Sequence, residues 1–168
     1  MSLSALLAGG AGIAPSDQFI GSFTLGLEWG FREPFALGAD IGIDTLRVGQ
    51  VAEGKVSMLL QWVSLYARVV LFARGLTGLH VNLGGRLTRM SAWSEGFTET
   101  KSADQYGGAA FLALEWRQEL TRHFLIFGRL GVQARFQPET FSIGGVGTVL
   151  TLPPWGFWAQ VGASWNFL

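Results

Sequence analysis

The chain has 168 residues, 24 of them glycine, with 14% charged residues and a formal net charge of zero. That length suits one domain over 1–168, and the charge falls well below the roughly 25% of an ordinary soluble domain. The balanced charge gives no basic footprint for nucleic acid, and the absence of cysteine excludes a disulfide framework or a cysteine-ligated metal.

The first segment, 3–13, follows the start Met1-Ser2-Leu3-Ser4-Ala5-Leu6-Leu7, which lacks the positive charges that open a secretory signal. Its apolar run from Ala5 to Ala14 reads as a first strand of less regular pattern. An exported chain crosses an inner membrane, so a mature form or the barrel end of a longer protein is expected. The next segment alternates cleanly: Phe19, Gly21, Phe23, Leu25, Leu27 and Trp29 oppose Ser22, Thr24, Gly26 and Glu28. Then Phe35, Leu37, Ala39, Ile41 and Ile43 oppose Gly38, Asp40, Gly42 and Asp44. Such a period of two puts successive side chains on opposite faces of a strand.

Val56 to Phe72 is apolar, interrupted by Gln61 and Arg68, and at about 17 residues it sits at the lower limit for a membrane helix. Its valines favour a strand, with Ser64, Tyr66 and Arg68 facing inward and a bulge near Gln61. Alternation returns with Leu79, Val81, Leu83, Gly85 and Leu87 against His80, Asn82, Gly84 and Arg86. It continues with Tyr106, Gly108, Ala110, Leu112, Leu114 and Trp116 against Gly107, Ala113, Glu115 and Arg117. In the seventh segment Phe124, Ile126, Gly128, Leu130, Val132, Ala134 and Phe136 oppose Leu125, Phe127, Arg129, Gly131, Gln133 and Arg135. The last sets Trp155, Phe157, Ala159, Val161, Ala163, Trp165 and Phe167 against Gly156, Trp158, Gln160, Gly162, Ser164 and Asn166.

Connections alternate in length. Links at 31–34, 72–76 and 118–122 are short, whereas those at 14–18, 46–55, 89–105 and 137–154 share the other end, and three of these read as long loops. Lys55 and Lys101 fall in those loops. Short periplasmic turns opposite longer extracellular loops are the asymmetry of outer-membrane barrels, and both termini then lie on the periplasmic side. The expected fold is therefore all-β: a transmembrane, antiparallel, up-and-down β-barrel of about eight strands in a bacterial outer membrane.

A wholly apolar exterior needs lipid, since a soluble barrel exposing such stripes would aggregate. The aromatic residues fall at strand ends, where amphipathic rings favour the headgroup level. One expected girdle holds Trp29, Phe35, Trp116, Phe124, Trp165 and Phe167 at the turn end, and the other holds Phe19, Tyr106, Phe136, Trp155 and Phe157 at the loop end. The competing soluble lipocalin-like barrel would put the apolar face inward, and would place Gly26, Gly38, Gly42, Gly84, Gly131 and Gly162 on its surface to no purpose. Inside a narrow barrel the same glycines make room for long side chains.

Aromatic-flanked, alternating segments of this number resemble the small outer-membrane barrels of the OmpA, OmpX and OmpW type over the whole chain. The final strand, whose alternation ends at Phe167 with Leu168 following, resembles the C-terminal signal of those proteins, which implies the outer-membrane assembly machinery as a partner during insertion. Two membrane enzymes share the architecture. A lipid A deacylase resemblance would imply a His-x-Ser pair facing lipid, but His80-Val81-Asn82 has asparagine in that place and faces inward. Palmitoyl-transferring barrels imply a His, Asp and Ser group near the outer surface, and no histidine falls in a long loop here. No catalytic, cofactor or metal residue is assigned. Pairing His80 with Asp40 or Asp44 makes a poor metal set, His123 reads as solvated or interfacial, and Gly144-Gly145-Val146-Gly147 lacks the context of a phosphate loop.

The inward charges are the candidate site: Glu28, Asp40, Asp44 and Glu115 against Arg68, Arg86, Arg117, Arg129 and Arg135. Eight strands leave an interior just filled by side chains, so these groups are expected to form a hydrogen-bonded plug. The expected function is a structural anchor or interaction protein contacting lipid and a protein partner through its loops. A small-solute channel is the alternative.

Overall fold

In the computed structural model the described residues are 2–13, 19–32, 34–51, 54–95, 103–137, 139–143 and 147–167. Eight strands close a barrel: β1 (Ser2–Ile13), β2 (Phe19–Arg32), β3 (Phe35–Val51), β4 (Gly54–Arg74), β5 (Thr77–Glu95), β6 (Ala103–Glu119), β7 (Phe124–Arg135) and β10 (Trp155–Asn166). Each pairs antiparallel with its neighbour, and β1 meets β10 through Ser4↔Asn166 to Ile13↔Phe157, so the closed wall has no free edge. Between β7 and β10 the chain adds a separate two-stranded hairpin, β8 (Glu139–Ile143) with β9 (Gly147–Leu152).

Register fixes the shape of the interior. The pairing circuit Leu3↔Trp29↔Leu37↔Ala67↔Leu83↔Leu112↔Val132↔Phe157↔Ile13 returns to β1 ten residues beyond its start, from position 3 to position 13. With eight strands, that stagger tilts them by about 40° and leaves a lumen only as wide as facing side chains. The period of two then sorts the residues. Leu25, Ile41, Leu65, Leu87, Leu114, Leu130 and Val161 are exposed on the outside, while Thr24, Asp40, Ser64, Asn82, Glu115, Arg129 and Gln160 are buried inside.

Three features depart from the sequence reading. Residues 46–55 are not a long loop: β3 and β4 stay paired as far as Val51↔Gly54, so Lys55 lies in β4, not in a loop. Likewise β5 runs on to Glu95, β6 begins at Ala103, and 137–154 contains the β8–β9 hairpin. Above the bilayer both faces of a strand meet water or protein, so apolar alternation stops although pairing does not. No bulge falls at Gln61, which pairs regularly with Ile43 and Arg89. The register shifts lie between Gly30 and Arg32, Val48 and Gln50, and Val70 and Phe72. The short links are also tighter than read: β4 and β5 run to Arg74 and from Thr77, with Gly75 at φ 59° in the intervening turn, where a side chain would be strained. Positions 14–18, Lys101, Gly144 to Val146 and Leu168 lie outside the described residues.

The wall is uneven. β3, β4, β5 and β6 have 17, 21, 19 and 17 residues, against 12 in each of β1, β7 and β10. Their turn ends are level, so the surplus stands at the loop end, a half-cylinder roughly 15 Å above the opposite rim at about 3.3 Å per tilted residue.

Candidate functional site

Parity aims the charged residues of β2 to β7 into the lumen, and the narrow bore makes them meet. Glu28 on β2 takes a bidentate pair from Arg117 on β6, Nη1 donating to Oε1 at 2.9 Å and Nη2 to Oε2 at 2.6 Å. Arg68 on β4 approaches the same carboxylate at 2.5 Å. Arg117 Nε donates to Glu115, and Arg129 Nε donates to the other oxygen of Glu115, which also accepts from Asn82 Nδ2 at 2.9 Å. Arg129 then reaches Asp40 through Nη1 at 2.9 Å and the Tyr66 hydroxyl through Nη2 at 3.0 Å. Its guanidinium also lies over the Tyr66 and Phe127 rings, 5.1 Å and 4.8 Å from their centroids.

The result is one alternating chain across the barrel, Arg68–Glu28–Arg117–Glu115–Arg129–Asp40, with three bases on three acids. Glu115 at its centre is 0% exposed. Planar guanidinium forks suit the task because each can serve two carboxylates at once, which a lysine point charge does less well.

Asp44, Arg86 and Arg135 point inward as parity requires, but they do not join that chain among the described residues. They lie nearer the loop end. Asp44 accepts from Trp62 Nε1 at 3.0 Å. Arg86 sits over Trp62 at 4.0 Å, with Phe111 and Trp158 rings at 5.6 Å and 5.5 Å, and donates to Gln133 at 3.2 Å. Arg135 donates to the Pro153 carbonyl at 2.7 Å. The single plug expected from sequence is thus two layers, an ionic one and an aromatic one around a guanidinium. Above them Leu60, Met58 and Met90 are buried.

Inner-face glycines make these layers fit. Gly38 pairs with Tyr66 and Gly42 with Trp62, and a Cβ on either glycine would run into the partner's ring. Sequence reasoning placed Tyr66, Asn82 and Trp158 on inner faces without giving them a part in the network, and it left Trp62 unplaced. Their polar atoms at inward parity were the available signal.

Outside, Trp29, Phe35, Trp116, Trp165 and Phe167 are exposed at the turn end, with Phe124 half-buried beside Trp165 at a centroid distance of 6.3 Å. Tyr106, Phe136, Trp155 and Phe157 are exposed at the loop end, and the Phe19 side chain lies outside the description. His123 stacks on Trp165, its Nδ1 3.1 Å from the Asn166 carbonyl, and no hydrogen bond joins the imidazole of His80 or His123 to a hydroxyl or carboxylate among the described residues. Nor do the described residues hold a group of three potential ligands fit for a metal.

A closed eight-stranded wall, apolar outside and charged within, defines a small β-barrel of the bacterial outer membrane. No protein-family model and no curated protein matches the chain. Solved structures do. It is similar to a major outer membrane protein from Thermus thermophilus, with a TM-score of 0.72 at 13% identity, covering 99% of this chain and 98% of that one. The outer membrane protein OprG from Pseudomonas aeruginosa gives 0.67 at 13%, covering 99% and 96%. The N-terminal β-barrel domain of Pseudomonas aeruginosa OprF gives 0.63 at 15%, covering 99% and 97%. At such identities the likeness is one of fold.

Proposed function

We propose that the protein is a sealed outer-membrane anchor that presents an extracellular contact surface. The observation that carries this reading is the alternating chain from Arg68 to Asp40, which crosses the lumen and leaves the ionic layer balanced. An ion entering it would have to displace paired, buried charges, so the layer acts as a plug. The contact surface is the half-wall of β3 to β6 with the β8–β9 hairpin beside it. It is built from paired strands, and a rigid surface loses less freedom on binding than a loop. Lipid is the permanent partner, the assembly machinery a transient one, and a protein on the cell surface the specific one.

Planar-bilayer recording tests the plug. The unmodified protein is expected to conduct little at rest, and a large steady conductance would favour solute transport instead. Orientation is tested separately, using the absence of native cysteine. A membrane-impermeant maleimide added to intact cells should label Thr151→Cys in β9 of the hairpin and spare Thr121→Cys in a turn, both of which are exposed positions. The reverse pattern would invert the barrel.

A further inference from the structure

The ionic chain begins at an arginine, and that end opens into a cavity. About 530 Å³ of space runs from the turn end at Pro34 and Leu76 up to Arg68, Arg117, Glu28 and His80. Glu28 is shared between two guanidiniums, and it is the one carboxylate that Arg68 contacts among the described residues. Among the described residues, Arg68 Nε and His80 Nδ1 are both buried without a hydrogen-bond partner. The two side chains are inward neighbours on adjacent strands, since Arg68 pairs with Asn82 and Val70 with His80. A buried donor left unmade, as at Arg68 Nε, is costly, and the neutral tautomer of His80 that carries its proton on Nδ1 adds a second beside the same cavity, so both are better explained by an acceptor that completes them.

The mouth differs in chemistry from the floor. Phe31, Val70 and Leu76 line it, and Leu76 is 60% exposed at the level of the turn-end girdle. We infer that this cavity binds an amphipathic oxyanion, a carboxylate or phosphate head on Arg68 and His80 with a short apolar chain against Val70 and Leu76. Glu119 also borders the cavity, exposed at the turn end, where water screens it. The volume lies within the range of small-molecule sites and has room for a head group and a short alkyl chain. Two sources share this chemistry: a free carboxylate from the periplasm, or the head of a phospholipid in the adjacent leaflet.

The chain contains two histidines, so imidazole NMR reports the site directly, with His123 as an internal reference. In dodecyl maltoside micelles, hexanoate is expected to shift the His80 signal saturably, hexanol is not, and His123 should show no matching saturation. Arg68→Gln should weaken hexanoate about tenfold, the loss of roughly one charged hydrogen bond. Should that variant fail to fold, Leu76→Asp in the exposed turn should also weaken it, with the ionic chain intact. A matching His80 shift in phosphatidylglycerol nanodiscs without hexanoate assigns the lipid head as source, and its absence there assigns the free carboxylate. No saturable His80 shift with either probe, an equal response to hexanol, or unaltered hexanoate binding in both variants would overturn the site.

Discussion

Arg129→Ala is expected to destabilise the barrel by about 3–5 kcal/mol, measured as urea unfolding in lipid vesicles, because it strands Asp40 inside the wall and takes one of two guanidinium partners from Glu115. Arg129 joins Glu115 to Asp40 and also donates to Tyr66. Alanine removes those donors at once and, among the described residues, leaves Asp40 with only the Tyr66 hydroxyl, 3.4 Å away. Asn82 and Arg117 remain on Glu115, so the larger share of the loss falls on Asp40. The next residue supplies the control. Leu130 is 66% exposed, facing lipid, and Leu130→Ala deletes contacts with acyl chains only. It should leave conductance unchanged, whereas Arg129→Ala, by opening space between Glu115 and Asp40, should raise it. Equal stability of Arg129→Ala and the parent would mean that the ionic layer is not what closes the lumen.

The fold was readable where lipid meets one face and charge the other. β7 and β10 alternate so strictly that their inward and outward sets follow from sequence, and Arg129 and Leu130 fall on opposite sides as parity requires. β4 was harder for a physical reason. Its inner face carries Met58, Leu60 and Trp62, all buried, so both of its faces are apolar there and the period fades. Gln61, exposed on the outer face opposite Arg89, then looked like an interruption needing a bulge.

The site was half readable. Parity gives the face of a strand but not its height along the barrel axis, which depends on the stagger that pairing alone sets. Asp44 and Arg86 share the inward face with Asp40 and Arg129, yet stagger carries them to the aromatic layer near the loop end. Trp62, Phe111 and Trp158 around Arg86 could not be foreseen for the same reason: they come from three strands, β4, β6 and β10, that only closure of the wall brings together. Ordinary cation–π geometry then stabilises the guanidinium by about 2 kcal/mol or more when desolvated, in place of a carboxylate partner.

The glycines give the sharpest test of which face is which, because one substitution should change sign with its position. Gly128 on β7 points outward, and a Cβ built there meets nothing within 4 Å. Gly128→Val is therefore expected to leave stability unchanged or raise it by up to about 1 kcal/mol, through strand preference and added contact with lipid. Gly38→Val has the same intrinsic gain but drives its side chain into the Tyr66 ring. That ring has little room to withdraw, being buried with Phe111 at 6.4 Å and the Arg129 guanidinium at 5.1 Å. Overpacking at about 1–3 kcal/mol, with loss of the Arg129–Tyr66 hydrogen bond at about 1 kcal/mol, outweighs the gain, so the variant should be less stable by about 1–3 kcal/mol. Gly38→Val and Tyr66→Ala together should cost less than their separate effects summed, because the valine then occupies space that the ring has left. Additive effects of the pair, or a stabilising Gly38→Val, would show that Tyr66 does not lie across Gly38 and that the inner face is packed differently.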